Sequence, residues 1–144
     1  MGNCVQIAQG IIKDWEKCRL IAYKPIPTDP WTIGWGATGP AIGQGTMWTQ
    51  EEADADLNNR VNTLASQVRS AIIAPATDNQ LAAMIDLAYN IGINAFKNST
   101  LVRLFNGGST SAAAEQFLVW DKSGGEYLQG LENRREAEYH VFLT

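Results

Sequence analysis

The sequence predicts an α+β fold that is mainly helical, with one small β element near the N-terminus. Apolar residues recur at steps of three and four along several segments. Capping-box patterns open two of those segments, and a stretch near the N-terminus is rich in strand formers, prolines and glycines. A chain of 144 residues, 45% hydrophobic and 18% charged, fits one globular domain.

The first helix and the β element follow one another. The helix is predicted to end near Glu16, and residues 19–37 then contain RLIAY and WTIGWGA on either side of KPIPTDP. Three prolines in so short a stretch exclude a helix there, so a hairpin or small sheet is expected. The apolar face of the helix consists of Val5, Ala8, Ile12 and Trp15.

The rest of the chain reads as helices. Thr49 with Glu52 forms one capping box, and Thr77 with Gln80 forms another at the start of a helix that should end at Gly92. Further helices are predicted within STLVRLFNGG, STSAAAEQFLVWD and SGGEYLQGLENRREAEYHVFLT.

Bulk properties exclude several classes of function. A net charge of -4 disfavours a nucleic-acid binder, which needs a basic face. We see no signal peptide and no apolar run long enough for a membrane span. Along a helix, Cys4 and Cys18 would lie roughly 21 Å apart, too far for a disulfide. The sequence has one histidine in addition to these two cysteines, so a zinc site is not expected. We predict no metal and no cofactor.

Glu16 is the first candidate for chemistry. At the C-terminal end of a helix the dipole disfavours a carboxylate, so the position costs some stability. The same field, helped by apolar cover, favours the protonated form that a general acid requires. The alternative is a solvated glutamate at a frayed helix end.

The β segment supplies further candidates. Glycosidic-bond cleavage usually needs a second group across the sugar from the acid, and Asp29 and Thr32 could place or activate a water there. Alternatively, they are a turn residue before a proline and an ordinary strand residue. Tyr23, Trp31 and Trp35 offer flat apolar faces that suit sugar rings, although aromatic residues also fill cores.

Taken together, DWEKCRLIAY…DPWTIGWGATG resembles the active-site segment of muramidase-type phage endolysins, the glycoside hydrolase family 24 lysozymes. In that family a helix-ending Glu precedes G-x-R-L-x-A-Y, an acidic residue and T-I-G-Y-G-H-T. NQLAAMIDLAYNIGINAFKNSTLVRLFN and AAAEQFLVWDKSGGEYLQGLENRREAE resemble its central and C-terminal regions.

The resemblance implies a lysozyme-like, two-lobed fold in a single domain, 1–144. The small β-hairpin lobe would comprise about residues 17–60, and the larger helical lobe residues 1–16 and 61–144. The implied activity is hydrolysis of the β-1,4 bond between N-acetylmuramic acid and N-acetylglucosamine in peptidoglycan, causing host cell lysis.

Individual roles follow from the same resemblance. Glu16 matches the proton donor, and Thr32 matches a threonine that helps position the water. Arg134 or Arg135 matches an arginine that orients the glutamate; because its charge favours the carboxylate, apolar burial is expected to oppose it. We expect substrate contacts from Asn90 and Trp120, which match cleft residues, and from Tyr23 and Trp35.

The chain also departs from the family pattern. The position of the family's acidic residue holds Pro25, so Asp29 would take that role only if its side chain faces Glu16. Ala37 stands where relatives usually have His. Three functions therefore remain open: an ordinary muramidase, a lytic transglycosylase that uses Glu16 nearly alone, and a wall-binding module without catalysis.

The expected partner is a peptidoglycan glycan strand, with neither nucleic acid nor stable membrane insertion involved. We expect a monomer, made in the host bacterial cytoplasm and released to the periplasm and cell wall. We expect its release to depend on a separate holin-type pore.

Overall fold

The computed structural model describes residues 2–144, and its first helix leads directly to Glu16. Helix α1 spans Gly2–Trp15, with Lys13 in its last turn. The Glu16 N–H donates to the Ile12 carbonyl at 2.7 Å, so the glutamate is fixed to the end of the helix. The predicted end of the first helix is confirmed.

The predicted β element is present as an antiparallel hairpin. Strand β1 spans Arg19–Tyr23 and strand β2 spans Thr32–Gly34. The register pairs the two ends of β1 with the two ends of β2, with an irregularity between them. The proline-rich segment connects the two strands. Its prolines have no N–H to donate to a helix or to a strand ladder, so the segment forms a loop.

A tight turn follows β2 immediately. Ile33 and Ala37 exchange two backbone hydrogen bonds, of 2.9 and 2.7 Å. The loop between them contains Gly34 and Gly36, whose φ angles of +63° and +92° favour glycine. This turn brings Gly36 back beside the end of α1, where the candidate site lies.

Both capping boxes form as predicted. Helix α2 spans Gln50–Ala71 and helix α3 spans Asp78–Ile91. At each start the threonine side chain accepts an N–H three residues on, and the side chain of that later residue accepts the threonine N–H. Gly92, with φ of +95°, ends α3 as predicted.

The C-terminal third contains four short or medium helices and a second hairpin. The prediction that SGGEYL, residues 123–128, belongs to the last helix is wrong: β3, Lys122–Ser123, pairs with β4, Glu126–Tyr127. Gly124 and Gly125 have φ of +59° and +84°, the backbone of a two-residue hairpin turn. The helices are α4 (Ile93–Lys97), α5 (Thr100–Asn106), α6 (Thr110–Glu115), which continues as a 3₁₀ turn over Gln116–Val119, and α7 (Gln129–Leu143).

Two apolar clusters stabilise the structure. The larger is shared by the helices and includes Phe96, Phe117 and Phe142, all nearly inaccessible to solvent. The smaller lies under the first hairpin around Ile33. Helix α2 joins the two, because Ala53 near its start approaches Gly34 while its later turns enter the larger cluster.

Within residues 2–144, no helix combines the length and the apolar character needed to cross a bilayer.

Candidate active site

The Glu16 carboxylate is half-buried and held by an arginine from the far end of the chain. Its side chain is 24% exposed, and its Oε2 accepts a hydrogen bond of 2.8 Å from Arg134 Nη1 on α7. Of the two arginines suggested by the sequence, Arg134 is the one that contacts Glu16. A charge-assisted contact of this length fixes the orientation of the carboxyl group.

Arg134 also binds Asp86 on α3, through the two guanidinium nitrogens that do not contact Glu16. Its Nε donates to Asp86 Oδ2 at 2.9 Å and its Nη2 donates to Asp86 Oδ1 at 2.7 Å. Asp86 is fully buried and Arg134 nearly so. Burial lowers the pKa of Arg134, but Asp86 and Glu16 outweigh it and raise that pKa above its ordinary value.

Gly36 closes the other side of the carboxyl group. A Cβ at this position would lie 2.8 Å from Glu16 Oε1, closer than real Cβ contacts. The φ of +92° is also one that other residues rarely adopt. The glycine therefore lets the backbone after β2 approach the carboxylate, which lies between Gly36 and Arg134.

A second buried set of polar groups lies beside the first. Arg135 donates from Nη1 to Asn90 Oδ1 at 2.9 Å and from Nη2 to Glu138 Oε2 at 2.8 Å. Its Nε lies 2.7 Å from Glu138 Oε1, an ion-pair distance without hydrogen-bond geometry. Because guanidinium only donates, the Asn90 oxygen must face Arg135, which leaves the amide nitrogen directed away from it.

The two buried carboxyl groups, Asp86 and Glu138, influence each other's ionisation. Burial raises the pKa of Glu138 well above its ordinary value, and the neighbouring Asp86 raises it further. Burial also opposes ionisation of Asp86, yet hydrogen bonds from Glu138 and Arg134 hold the pKa of Asp86 below its ordinary value. Two adjacent acids cannot both ionise easily, and of the two it is Glu138 whose environment favours the protonated form.

Two cavities are lined in part by residues that contact Glu16. One of about 420 Å³ is lined by Gly36 and Tyr89, among others. Another of about 470 Å³ is lined by Trp15 and Arg134. Each cavity therefore has one wall residue that contacts Glu16, Gly36 at one carboxylate oxygen and Arg134 at the other.

Asn90 and Trp120, both predicted to contact substrate, line a further cavity of about 380 Å³. Leu128 and Leu131 line this cavity as well as the one beside Trp15. The second hairpin contributes Lys122 to its wall. The hairpin that sequence analysis missed therefore shapes a surface next to the candidate acid.

Thr32 and Asp29 have local hydrogen bonds and none to Glu16. The buried Thr32 donates from Oγ1 to the Pro30 carbonyl at 3.0 Å. The Asp29 N–H donates to the Ile26 carbonyl at 3.0 Å, which places Asp29 in a turn. Within residues 2–144 its carboxylate forms no hydrogen bond. Their catalytic roles remain predictions.

Trp35 joins three parts of the structure. Its indole Nε1 donates to Asp54 Oδ1 at 2.8 Å, and its carbonyl accepts from the Tyr89 hydroxyl at 2.6 Å. Lys13 Nζ lies 5.3 Å from the centre of its ring. Burial, with the charge of Glu16, raises the pKa of Tyr89, so the phenol remains a donor. These contacts account for Trp35 without a sugar, and its role in substrate binding stays a prediction.

Tyr23 packs against a residue of its own strand, because the Arg19 guanidinium lies 4.6 Å from the centre of the Tyr23 ring. Its role in substrate binding stays a prediction.

Sequence analysis missed Asp86, Tyr89 and the close approach of Gly36. One signal was available for Asp86: it is a lone acid inside the apolar run AAMIDLA. Such a residue is buried only when it has a partner.

A mainly helical fold with small two-stranded sheets is the fold of the lysozyme-like neighbours of this chain. The family model for phage lysozyme matches residues 13–138, and the chain belongs to this family. It is 38% identical to an endolysin of Bacillus phage PZA over 142 residues, which cover 96% of this chain and 55% of that protein.

Solved structures give the same picture. The muramidase domain of SpmX from Asticaccaulis excentricus superimposes with a TM-score of 0.85 at 33% identity, covering 95% of each chain. The endolysin of Escherichia coli O157:H7 phage FAHEc1 does so with a TM-score of 0.84 at 30% identity, covering 96% of this chain and 91% of the other. The chain spans about half the length of the curated Bacillus phage endolysins that it matches.

Proposed function

We propose that this protein is an endolysin that hydrolyses the β-1,4 bond between N-acetylmuramic acid and N-acetylglucosamine in peptidoglycan. The observation that supports this most directly is the position of Glu16. A half-buried carboxyl group, oriented by Arg134 and in contact with residues that line two cavities, suits the role of a general acid. Membership of the phage lysozyme family supports the substrate class.

In the proposed reaction, the glycan lies between a small lobe of about residues 17–60 and a helical lobe of residues 1–16 and 61–144. Protonated Glu16 gives its proton to the bridging oxygen as the bond from that oxygen to the anomeric carbon breaks. A water attacks the anomeric carbon from the opposite face and loses a proton to a base or to solvent. Thr32 and Asp29 are proposed to position or activate this water.

Asn90 suits the recognition of an acetamido group. Its oxygen is occupied by Arg135, so its amide nitrogen has two N–H donors left for the cavity that it shares with Trp120. A carbonyl oxygen of an N-acetyl group would accept from them while the sugar ring stacks on the indole. This arrangement favours an N-acetylated glycan over a plain glucan.

The substitution Glu16→Gln tests the proposal. It keeps the size of the side chain and an acceptor for Arg134 but cannot donate a proton as an acid. We expect lysis of outer-membrane-permeabilised bacteria, followed as loss of turbidity, to disappear while the thermal unfolding curve stays cooperative. Retained lysis by Glu16→Gln would remove Glu16 from the role of acid, and an inactive wild-type protein would contradict the proposed hydrolysis.

One observation keeps a lytic transglycosylase as the second candidate. Pro25 replaces the family's acidic residue, and Asp29 lies in a turn without a hydrogen bond to Glu16. A site with a single carboxyl group would let a hydroxyl of the substrate attack in place of water. Mass spectrometry of the released fragments distinguishes the two, because hydrolysis adds a water and the transglycosylase leaves an anhydro sugar.

A further inference from the structure

The contact between Glu16 and Arg134 poses an electrostatic difficulty for an acid catalyst. A guanidinium 2.8 Å from the carboxyl group favours the ionised form, whereas a general acid must carry a proton when the substrate binds. Apolar burial of Glu16 was expected to oppose the effect of the arginine charge, but the Glu16 side chain is still 24% exposed. Another group must therefore offset the charge of Arg134.

Asp86 has the geometry to do this. It takes two of the three hydrogen bonds that Arg134 makes, in the parallel arrangement that carboxylate and guanidinium form best. It is also completely inaccessible to solvent, so water does not screen the pair. Glu16 receives only the third bond, from a guanidinium that already has a counter-charge.

We propose that Asp86 is a positioning residue for Glu16: it aims the Arg134 guanidinium at the acid and neutralises its charge, so that Glu16 is held in place yet can keep a proton. The inference rests on the proposed function, since it explains how that acid works. Asp86 touches no reacting atom and acts only through Arg134.

The neighbouring charges are consistent with this role. Asp86 binds Arg134 directly and its pKa is lowered, whereas burial raises the pKa of Glu138, so Asp86 is the acid of the pair that favours the ionised form. The charged and titratable groups around Asp86 and Glu16 are Arg134, Arg135 and Glu138 on α7, Tyr89 on α3, and Lys13 and Asp14 on α1, with Asp56 and Arg60 on α2 beyond Tyr89.

Asp86→Asn removes the charge with little change of shape, and Glu138→Gln is its matched control. Both positions are fully buried and belong to the same network, but only Asp86 contacts Arg134. In Asp86→Asn, we expect the alkaline limb of the pH–activity profile to move down by about one pH unit, the size of a single close-charge effect. Glu138→Gln should leave the limb in place, because Glu138 binds Arg135 and has no hydrogen bond to Arg134 or Glu16 within residues 2–144.

A second readout does not depend on activity. The carboxyl carbon of Glu16, labelled with ¹³C and assigned by comparison with Glu16→Gln, can be titrated by NMR. Its titration midpoint should also move down by about one pH unit in Asp86→Asn. An unchanged midpoint, or an equal shift in Glu138→Gln, would overturn the inference. If the wild type does not cleave peptidoglycan, the proposed function fails while this titration still decides the role of Asp86.

The double variant Asp86→Asn with Arg134→Gln covers the case in which the single variant does not fold. It removes both buried charges together, which buried pairs tolerate far better than the loss of one partner. If Asp86 neutralises Arg134, the Glu16 midpoint in the double variant should stay within about half a pH unit of wild type. A rise of the Glu16 midpoint by about one pH unit or more would show that, in the wild type, the charge of Arg134 acts on Glu16 without being offset by Asp86.

Discussion

Gly36→Ala tests whether the backbone after β2 sets the position of the candidate acid. The added methyl group would lie 2.8 Å from Glu16 Oε1, well short of the 3.4 Å at which ordinary contact begins. Relief requires the carboxyl group to move by about 0.6 Å or more, toward or past its hydrogen bond with Arg134. Displacements near 1 Å cost about 10²-fold in rate, so we expect a loss of that order in lysis.

The substitution also strains the backbone, and Gly45→Ala isolates that effect. Gly45 has φ of +86°, close to the +92° of Gly36, but nothing lies within 4 Å of its added Cβ. Each variant should lose about 1–2 kcal/mol of unfolding free energy from the left-handed backbone. Only Gly36→Ala should also lose activity.

The assay compares initial rates of turbidity loss at matched folded fractions, with stability taken from urea unfolding. Equal activities for the Gly36→Ala and Gly45→Ala proteins would refute the reasoning, because the contact with Glu16 would then have no consequence beyond strain. A loss confined to Gly36→Ala ties the φ-positive turn to the chemistry.

Three further predictions concern side chains around the site. Asn90→Asp keeps an oxygen for Arg135 but removes the outward N–H donors, so we expect about a tenfold higher KM with little change in kcat in assays on soluble glycan fragments. Asp29→Asn should lower the hydrolysis rate by on the order of 10²-fold if Asp29 serves as the base; an unchanged rate would leave it a turn residue. Glu138→Gln should become more stable relative to wild type as pH rises from 5 to 7. Because the pKa of Glu138 is raised in the folded protein, the folded wild type binds more protons than the unfolded chain in this pH range. Its free energy of unfolding therefore falls by up to about 1.4 kcal/mol per pH unit as the pH rises. Urea unfolding at each pH measures this, and parallel curves for the two proteins would contradict it.

Local signals predicted the helix starts well. The capping boxes at Thr49 and Thr77 depend on residues three positions apart, and both form as the sequence indicates. The end of α1 at Glu16 was equally accessible, because an apolar face and the strand-rich segment beyond it define the boundary. These features need no knowledge of distant contacts.

The second hairpin was missed for a local reason of another kind. Gly124 and Gly125 fall within the segment predicted as the last helix, yet both adopt positive φ and form a two-residue turn. Strands of two residues, such as Lys122–Ser123, are too short for an alternating pattern to show. Sequence period alone could not reveal them.

The candidate site was predictable only in part, because its electrostatics depend on contacts across the chain. Glu16 and Arg134 are 118 positions apart, and Arg134 and Asp86 are 48 apart. A family pattern can suggest that an arginine meets the glutamate, but it does not supply the counter-charge behind that arginine. The lone acid in AAMIDLA pointed to a buried partner, and the structure shows that the partner is Arg134.

These contacts separate two tasks that one residue cannot perform well alone. Holding a carboxyl group in a fixed orientation is easiest with a cation, whereas keeping it protonated is easiest without one. Asp86, buried behind Arg134, lets the guanidinium keep its directional hydrogen bond to Glu16 while its net charge is offset. Gly36 on the opposite side adds a steric limit without adding charge. Gly36 therefore acts on the orientation of Glu16 alone, whereas Asp86 acts on its protonation as well, through the guanidinium that it holds.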